Sequence, residues 1–164
     1  MTVTLFAAPL ASAAPVSLVV CTGEQTTSFN PGLTFTPRSV HFSTTASPIS
    51  CTGSDVEEGA ESGGYTVEGT PTLSCGAINK SIEVTQTYHW EDGSTSTVVL
   101  NASVNAKPLG TTVLQQYGEV TDGRYAGLQV QQVIVTVTDL SELLGCLTTG
   151  VTSANGYITL TLTA

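Results

Sequence analysis

The 164 residues include four Lys or Arg against thirteen Asp or Glu, a net charge of −9, with two His and four Cys. Such a balance repels phosphate backbones and anionic lipid headgroups, which argues against nucleic acid and membrane surfaces as partners. A length of this order suits one domain.

The chain opens on the apolar run MTVTLFAAPLASAAP. Residues 2–10 fall far short of the about 20 needed for a membrane span. Ala11-Ser12-Ala13 supplies the small residues of a signal-peptidase site. Residues 1–13 are therefore expected to be the end of a Sec signal, its basic n-region missing because no Lys or Arg precedes Arg38. The alternative is an N-terminal strand through Val3 and Leu5. The mature part, 14–164, is expected to be one exported domain acting outside the cell, and no second apolar run approaches a membrane span.

Export governs how the cysteines are read. Cys21, Cys51, Cys75 and Cys146 form an even set without a C-x-x-C, which favours two disulfides over zinc or a redox pair. Three connectivities are open. The favoured one is Cys21–Cys51 with Cys75–Cys146, tying the opening strand to the segment after Pro48 and the end of the chain to its middle.

Thr and Ser are abundant, which suits strands and turns and works against long helices. In chain order, residues 16–21, 39–45, 49–51 and 66–75 read as strands. Between Cys51 and Tyr65 lies TGSDVEEGAESGG, where Asp55, Glu57, Glu58 and Glu61 offer hard oxygen ligands. A calcium site is the functional reading, although the order departs from an EF-hand loop. A solvated acidic loop is the ordinary one, and no other cofactor is expected.

Three Gly-containing turns follow, each between alternating runs. In SIEVTQTYHW-EDG-STSTVVLNASV, a three-residue Glu91-Asp92-Gly93 loop sets Val84 opposite Leu100 and Ile82 opposite Ala102, with Gly93 where a left-handed residue is needed. In the second, a two-residue Asp122-Gly123 turn is expected to face Val120 with Tyr125 and Tyr117 with Leu128. The apolar phase changes between Val130 and Val133, so a bulge is expected near Gln131-Gln132. A helix of one or two turns is expected over 139–145. The third turn, Asn155-Gly156, would set Val151 against Leu160, with Ile158, Leu160 and Leu162 inward. Eight to ten short strands at this spacing predict an all-β fold, an antiparallel β-sandwich of Ig-like or related Greek-key form.

The run CTG…FNPGLTFTPRSV over residues 21–40, a second CTG at 51–53, LSC at 73–75, WEDGSTS at 90–96 and GEVTDGRYAG at 118–127 resembles a set of small exported actinomycete proteins. The likeness implies an exported, disulfide-stapled β-fold and no particular activity. In architecture alone, such a domain is similar to the apoproteins that carry enediyne chromophores.

Chemistry is sparse. His41 and His89 sit in alternating segments, no Ser lies in a G-x-S-x-G, and Glu83, Glu91, Asp92 and Glu119 are mostly turn-associated acids. Tyr88 and Trp90 share one face of the first hairpin, and Tyr117 and Tyr125 flank the second. Exposed, these four would stack on sugars or anchor a protein; sharing parity with Ile82 and Val84, Tyr88 and Trp90 would instead lie in the core. The expectation is a non-catalytic exported binding or adaptor module for an extracellular protein or glycan. The alternatives are a carboxylate-dependent glycan hydrolase and a small-molecule carrier, which would need a deep apolar pocket between strands.

Overall fold

The computed structural model describes residues 18–76, 82–106, 111–137 and 140–164. The expected signal remnant at 1–13 lies outside them. The strands are β1 (Leu18–Leu33), β2 (Arg38–Ser39), β3 (His41–Thr52), β4 (Ser62–Gly69), β5 (Thr72–Leu73), β6 (Ile82–Trp90), β7 (Thr95–Ala106), β8 (Thr111–Gly123), β9 (Gln129–Val137) and β10 (Val151–Thr163). One short helix, α1 (Leu140–Leu147), precedes β10, where a one- or two-turn helix is expected.

Eight strands form a single antiparallel sheet in the order β1-β10-β9-β8-β7-β6-β4-β3, and the sheet closes. The all-β class is as expected, but the layers are not those of a sandwich. The reason lies in β1, sixteen residues long, which pairs with β10 along one edge (Leu18↔Thr163 to Ser28↔Ser153) and with β3 along the other (Val20↔Thr52 to Asn30↔His41). A strand engaged on both edges leaves no open edge there, so the sheet curls into a barrel. β2 and β5 form a separate small ribbon, Arg38↔Leu73 and Ser39↔Thr72.

Alternation along each strand sets the inside and the outside. Val19, Cys21 and Gln25 of β1, Val98 and Leu100 of β7, and Ile158, Leu160 and Leu162 of β10 are buried, while Thr22, Glu24, Glu68, Glu83, Thr85 and Thr159 face solvent. This is the reverse of a membrane-spanning barrel, which turns its apolar side chains outward. Among the described residues, no helix is long and apolar enough to cross a membrane.

The disulfides are Cys21–Cys51 and Cys75–Cys146, the pairing favoured above. The first joins directly opposed residues of β1 and β3 and lies inside the apolar cluster. The second ties the segment after β5 to α1.

The first hairpin has the expected register, Ile82↔Ala102 and Val84↔Leu100, and Gly93 takes a φ of 86° in the three-residue loop. The second differs. β8 and β9 pair as Glu119↔Gln129 and Gly118↔Val130, so Asp122-Gly123 is not the hairpin turn. Instead β8 continues to Gly123 against Ser96 of β7, and the chain returns through residues 124–127, with Tyr125 at a φ of 64°. Long-range contacts explain this. Arg124 donates to Glu57 at 2.6 Å and to Asp92, and its backbone N–H donates to the Thr95 carbonyl at 2.9 Å. A Cβ at Gly123 would collide with that same carbonyl, so only glycine fits.

Asn155-Gly156 makes no turn either. β10 runs straight through it, with Gln25↔Gly156 on one side and Gly156↔Thr136 on the other. Nor is there a bulge at Gln131-Gln132, since the β8–β9 register is uninterrupted. The apparent change of phase is a glutamine facing inward: Gln132 is 1% exposed.

Candidate functional site

The two ends of the barrel are filled differently. At the end where β1 begins, Val19, Cys21, Trp90, Val98, Val120, Leu160 and Leu162 pack against one another. Deleting any of these large side chains would leave a cavity in a closely packed region. Toward the other end the interior is hollow. A cavity of about 230 Å³ is lined by residues from every strand of the barrel and by Pro71 and Leu73 of the β5 segment.

The lining has two zones. The outer one is apolar with threonines: Phe29, Phe42, Val67, Ile82, Val84, Leu114 and Ile134, interspersed with Thr27, Thr44, Thr112 and Thr136. The inner one is a ring of buried glutamines, Gln25, Gln86, Gln116 and Gln132. In each strand the next inward position toward the packed end belongs to Gly23, Tyr88, Gly118 or Val130, none of which lines the cavity. The glutamines are therefore its floor.

Hydrogen bonds fix that floor. Gln132 is the hub: its Oε1 accepts from the Tyr88 hydroxyl and from Gln86 Nε2 at 3.3 Å, and its Nε2 donates to Gln116 Oε1 at 2.6 Å. Across the barrel the Tyr65 hydroxyl donates to Gln25 Oε1 at 2.6 Å. The Tyr65 and Tyr88 rings meet edge to face with centroids 5.3 Å apart. The polar layer is thus anchored on an aromatic column that continues through Trp90 to Tyr125.

One flank is less tightly sewn. β4 and β6 pair only through Gly63↔Trp90, Gly64↔His89 and Tyr65↔Tyr88 among the described residues. Val67, Pro71 and Leu73 before this seam, and Ile82 and Val84 after it, all line the cavity.

No lining residue is Asp, Glu, Lys, Arg or His. The titratable groups nearest the floor are the two phenols. Burial pushes both Tyr65 and Tyr88 well above their usual range, and the neighbouring Tyr65 adds to the effect at Tyr88. A phenol pKa raised on folding contributes stability that is complete below about pH 10, the ordinary tyrosine value, and is lost as pH climbs toward the folded-state value. Alkaline titration followed at 295 nm is expected to show two tyrosines that resist ionisation until the barrel unfolds, with stability to urea falling above about pH 10. Normal titration of both in the folded protein would place them in water.

The aromatic residues singled out by sequence share no exposed face. Tyr88 and Trp90 are inside, 1% and 3% exposed, and Trp90 donates its indole N–H to Ser96 Oγ at 2.8 Å. Tyr125 accepts from the Glu57 amide at 3.0 Å at the packed end. Tyr117 is outside, along a shallow depression with Gln129, Gln131 and Thr163. Tyr88, Trp90 and Tyr125 thus touch one another in a column, Tyr117 lies apart from them outside, and the four make no common exposed stacking face.

The acidic loop is likewise turned to separate partners. Asp55 accepts from Leu18 N at 2.8 Å and Ser54 Oγ at 2.9 Å, Glu57 pairs with Arg124, and Glu61 accepts from Gly59 N at 2.8 Å. Glu58 contributes a carbonyl to Arg124 at 3.4 Å. Among the described residues no three His, Cys, Asp or Glu gather as a metal would need. Glu83, Glu91, Asp92 and Glu119 are exposed and none lines the cavity. Hydrogen bonds from the Ser94 hydroxyl and amide, aided by Arg124, hold the Asp92 carboxyl below its usual range. His41 faces Glu68 at 3.7 Å on the surface, and His89 is exposed.

Sequence reading missed the glutamines. Their signal was present, because Gln86 shares parity with Val84 and Tyr88, and Gln132 with Val130 and Ile134. A polar residue in phase with an apolar face is either a break in the strand or a buried group with a purpose.

Fold and interior together define an antiparallel barrel with one packed end and one hollow end. No family model, curated protein or solved structure matches the chain.

Proposed function

We propose that this protein is an exported carrier that holds one small molecule inside the barrel. The observation that supports it is the hollow half itself. An eight-stranded barrel is just wide enough for side chains to fill, or to hold one small ligand, and here large side chains fill only one end. Cavities of comparable shape, apolar with a few polar groups, are the usual form of small-molecule sites. The two disulfides suit an oxidising compartment outside the cell.

A carboxylate-dependent hydrolase gains no support, since the cavity has no acid or base in its wall. Docking of a protein or glycan on the outer surface is the second reading, and Tyr117 and Tyr157, 48% and 62% exposed, are the side chains it would use.

N-phenyl-1-naphthylamine, an uncharged dye that brightens in apolar surroundings, tests the carrier. Saturable binding at one dye per chain is expected. Ala102, buried on β7 and part of the lining, is the position to fill: Ala102→Phe should weaken the dye at least tenfold, while Tyr117→Ala should leave it unchanged. Failure of the dye to saturate, or loss of binding in Tyr117→Ala alone, would remove the carrier reading.

A further inference from the structure

Resting on that reading, we infer that the ligand is an uncharged, mainly apolar molecule whose one polar group is a hydrogen-bond acceptor of carbonyl type, seated against the glutamine floor.

Charge is the first criterion. None of the lining side chains is ionisable at neutral pH, so an ionised ligand would leave water without a counter-ion. Burying an isolated charge costs far more than burying a neutral polar group. Glu57 and Asp92 are paired with Arg124 at the opposite, packed end of the barrel, and Glu68 and Glu83 face outward from its wall.

The floor supplies the second criterion. Gln132 Oε1 already accepts two hydrogen bonds, and Gln25 Oε1 and Gln116 Oε1 accept one each, which leaves Gln86 Oε1 as the one floor carbonyl that accepts from none of the described residues, against two open donors. The Gln25 and Gln116 amide nitrogens, by contrast, donate to none of the described residues, although both residues are nine-tenths or more buried. Neither nitrogen is sealed off: the only wholly enclosed side-chain nitrogen or oxygen without a partner among the described residues is Arg38 Nε. Both glutamines line the cavity, so these N–H groups are presented to its contents.

A pure hydrocarbon would displace water from those donors and leave them unsatisfied, a loss of the order of 1–3 kcal/mol per group. A carbonyl oxygen would replace the water. The wall above, formed by Phe29, Phe42, Val84, Leu114 and Ile134, takes the apolar body. Size is the third criterion. An apolar cavity of about 150 Å³ accommodates benzene, and the 230 Å³ here admits a fused two-ring frame.

Three naphthalenes of matched shape separate the possibilities: 2-acetylnaphthalene, 2-ethylnaphthalene and 2-naphthoate, each titrated calorimetrically into the full mature chain and by displacement of N-phenyl-1-naphthylamine. The ketone is expected to bind at least tenfold tighter than the hydrocarbon and at least a hundredfold tighter than the carboxylate. Gln116→Met, which keeps the volume and removes the amide, should narrow the ketone-to-hydrocarbon ratio to less than threefold. Gln25→Met serves if the first variant fails to fold. A hydrocarbon bound as well as the ketone, or a carboxylate bound best, overturns the inference and leaves the carrier standing. Binding of the dye with no binding of the ketone does the same. Failure of the dye and all three naphthalenes removes both.

Discussion

Opening both disulfides lowers the melting temperature by more than about ten degrees. The bridges span 30 and 71 residues of sequence. In the chain-entropy account, loops of these lengths are worth about 3.5–4.5 kcal/mol each, because the cross-link restricts the unfolded chain. For a domain of this size each kcal/mol moves the midpoint by about 2–4 degrees. The bridges should differ in what else they disturb. Cys21–Cys51 lies within the packed end, so Cys21→Ala with Cys51→Ala should cost stability and leave dye affinity unchanged. Cys75–Cys146 anchors the segment that brings Pro71 and Leu73 to the cavity wall. Cys75→Ala with Cys146→Ala should therefore weaken dye binding as well. Calorimetry of the double variants, with N-phenyl-1-naphthylamine titrations, checks both statements. Equal dye affinity in the two double variants would separate the Cys75 bridge from the cavity.

Gln132→Ala carries the second large effect. It removes the acceptor of the Tyr88 hydroxyl and of Gln86, and the donor to Gln116. Orphaning buried polar groups costs about 1–3 kcal/mol each. Gln86 and Gln116 border the cavity, where water can replace part of what they lose; Tyr88, 1% exposed, has no such recourse. The expected loss is about 2–4 kcal/mol. Gln131→Ala, one position along and facing solvent, should change stability by less than about 0.5 kcal/mol. Tyr88→Phe belongs to the same network, so its effect combined with Gln132→Ala should be smaller than the sum of the two. Urea denaturation measures all four chains. Strict additivity, or a Gln132→Ala loss below about 1 kcal/mol, would mean that the ring is not a connected network.

Where structure was written locally, the sequence could be read. The WEDGS turn carries its own instructions, with Gly93 at the left-handed position and apolar parity on both arms, and the register follows. The buried set Ile158, Leu160 and Leu162 is legible for the same reason. Where distant residues decide, it could not. The path of residues 123–128 depends on Arg124 meeting Glu57 and Asp92, more than sixty and thirty residues away in sequence. Asn155-Gly156 has turn chemistry, yet β1 and β9 hold it extended from both sides. Closure rather than layering rests on β1, whose inward Gln25 and Thr27 disguise a core-facing strand as a polar segment. The cavity was hidden for a related reason, since its floor is built from amides that read as solvent-facing until the alternation is followed through them.

Pairing of Leu18 with Thr163 has a bearing on how this molecule comes into being. The seam that completes the cylinder joins the earliest described strand to the last, so the sheet cannot close until β10 has been made. Mostly non-local pairing of this kind also makes for slow folding. Until β10 is in place, β1 keeps an unpaired edge from Leu18 to Ser28, the kind of edge along which one chain can pair with another, so the order in which the strands are made leaves the barrel's most adhesive edge open longest.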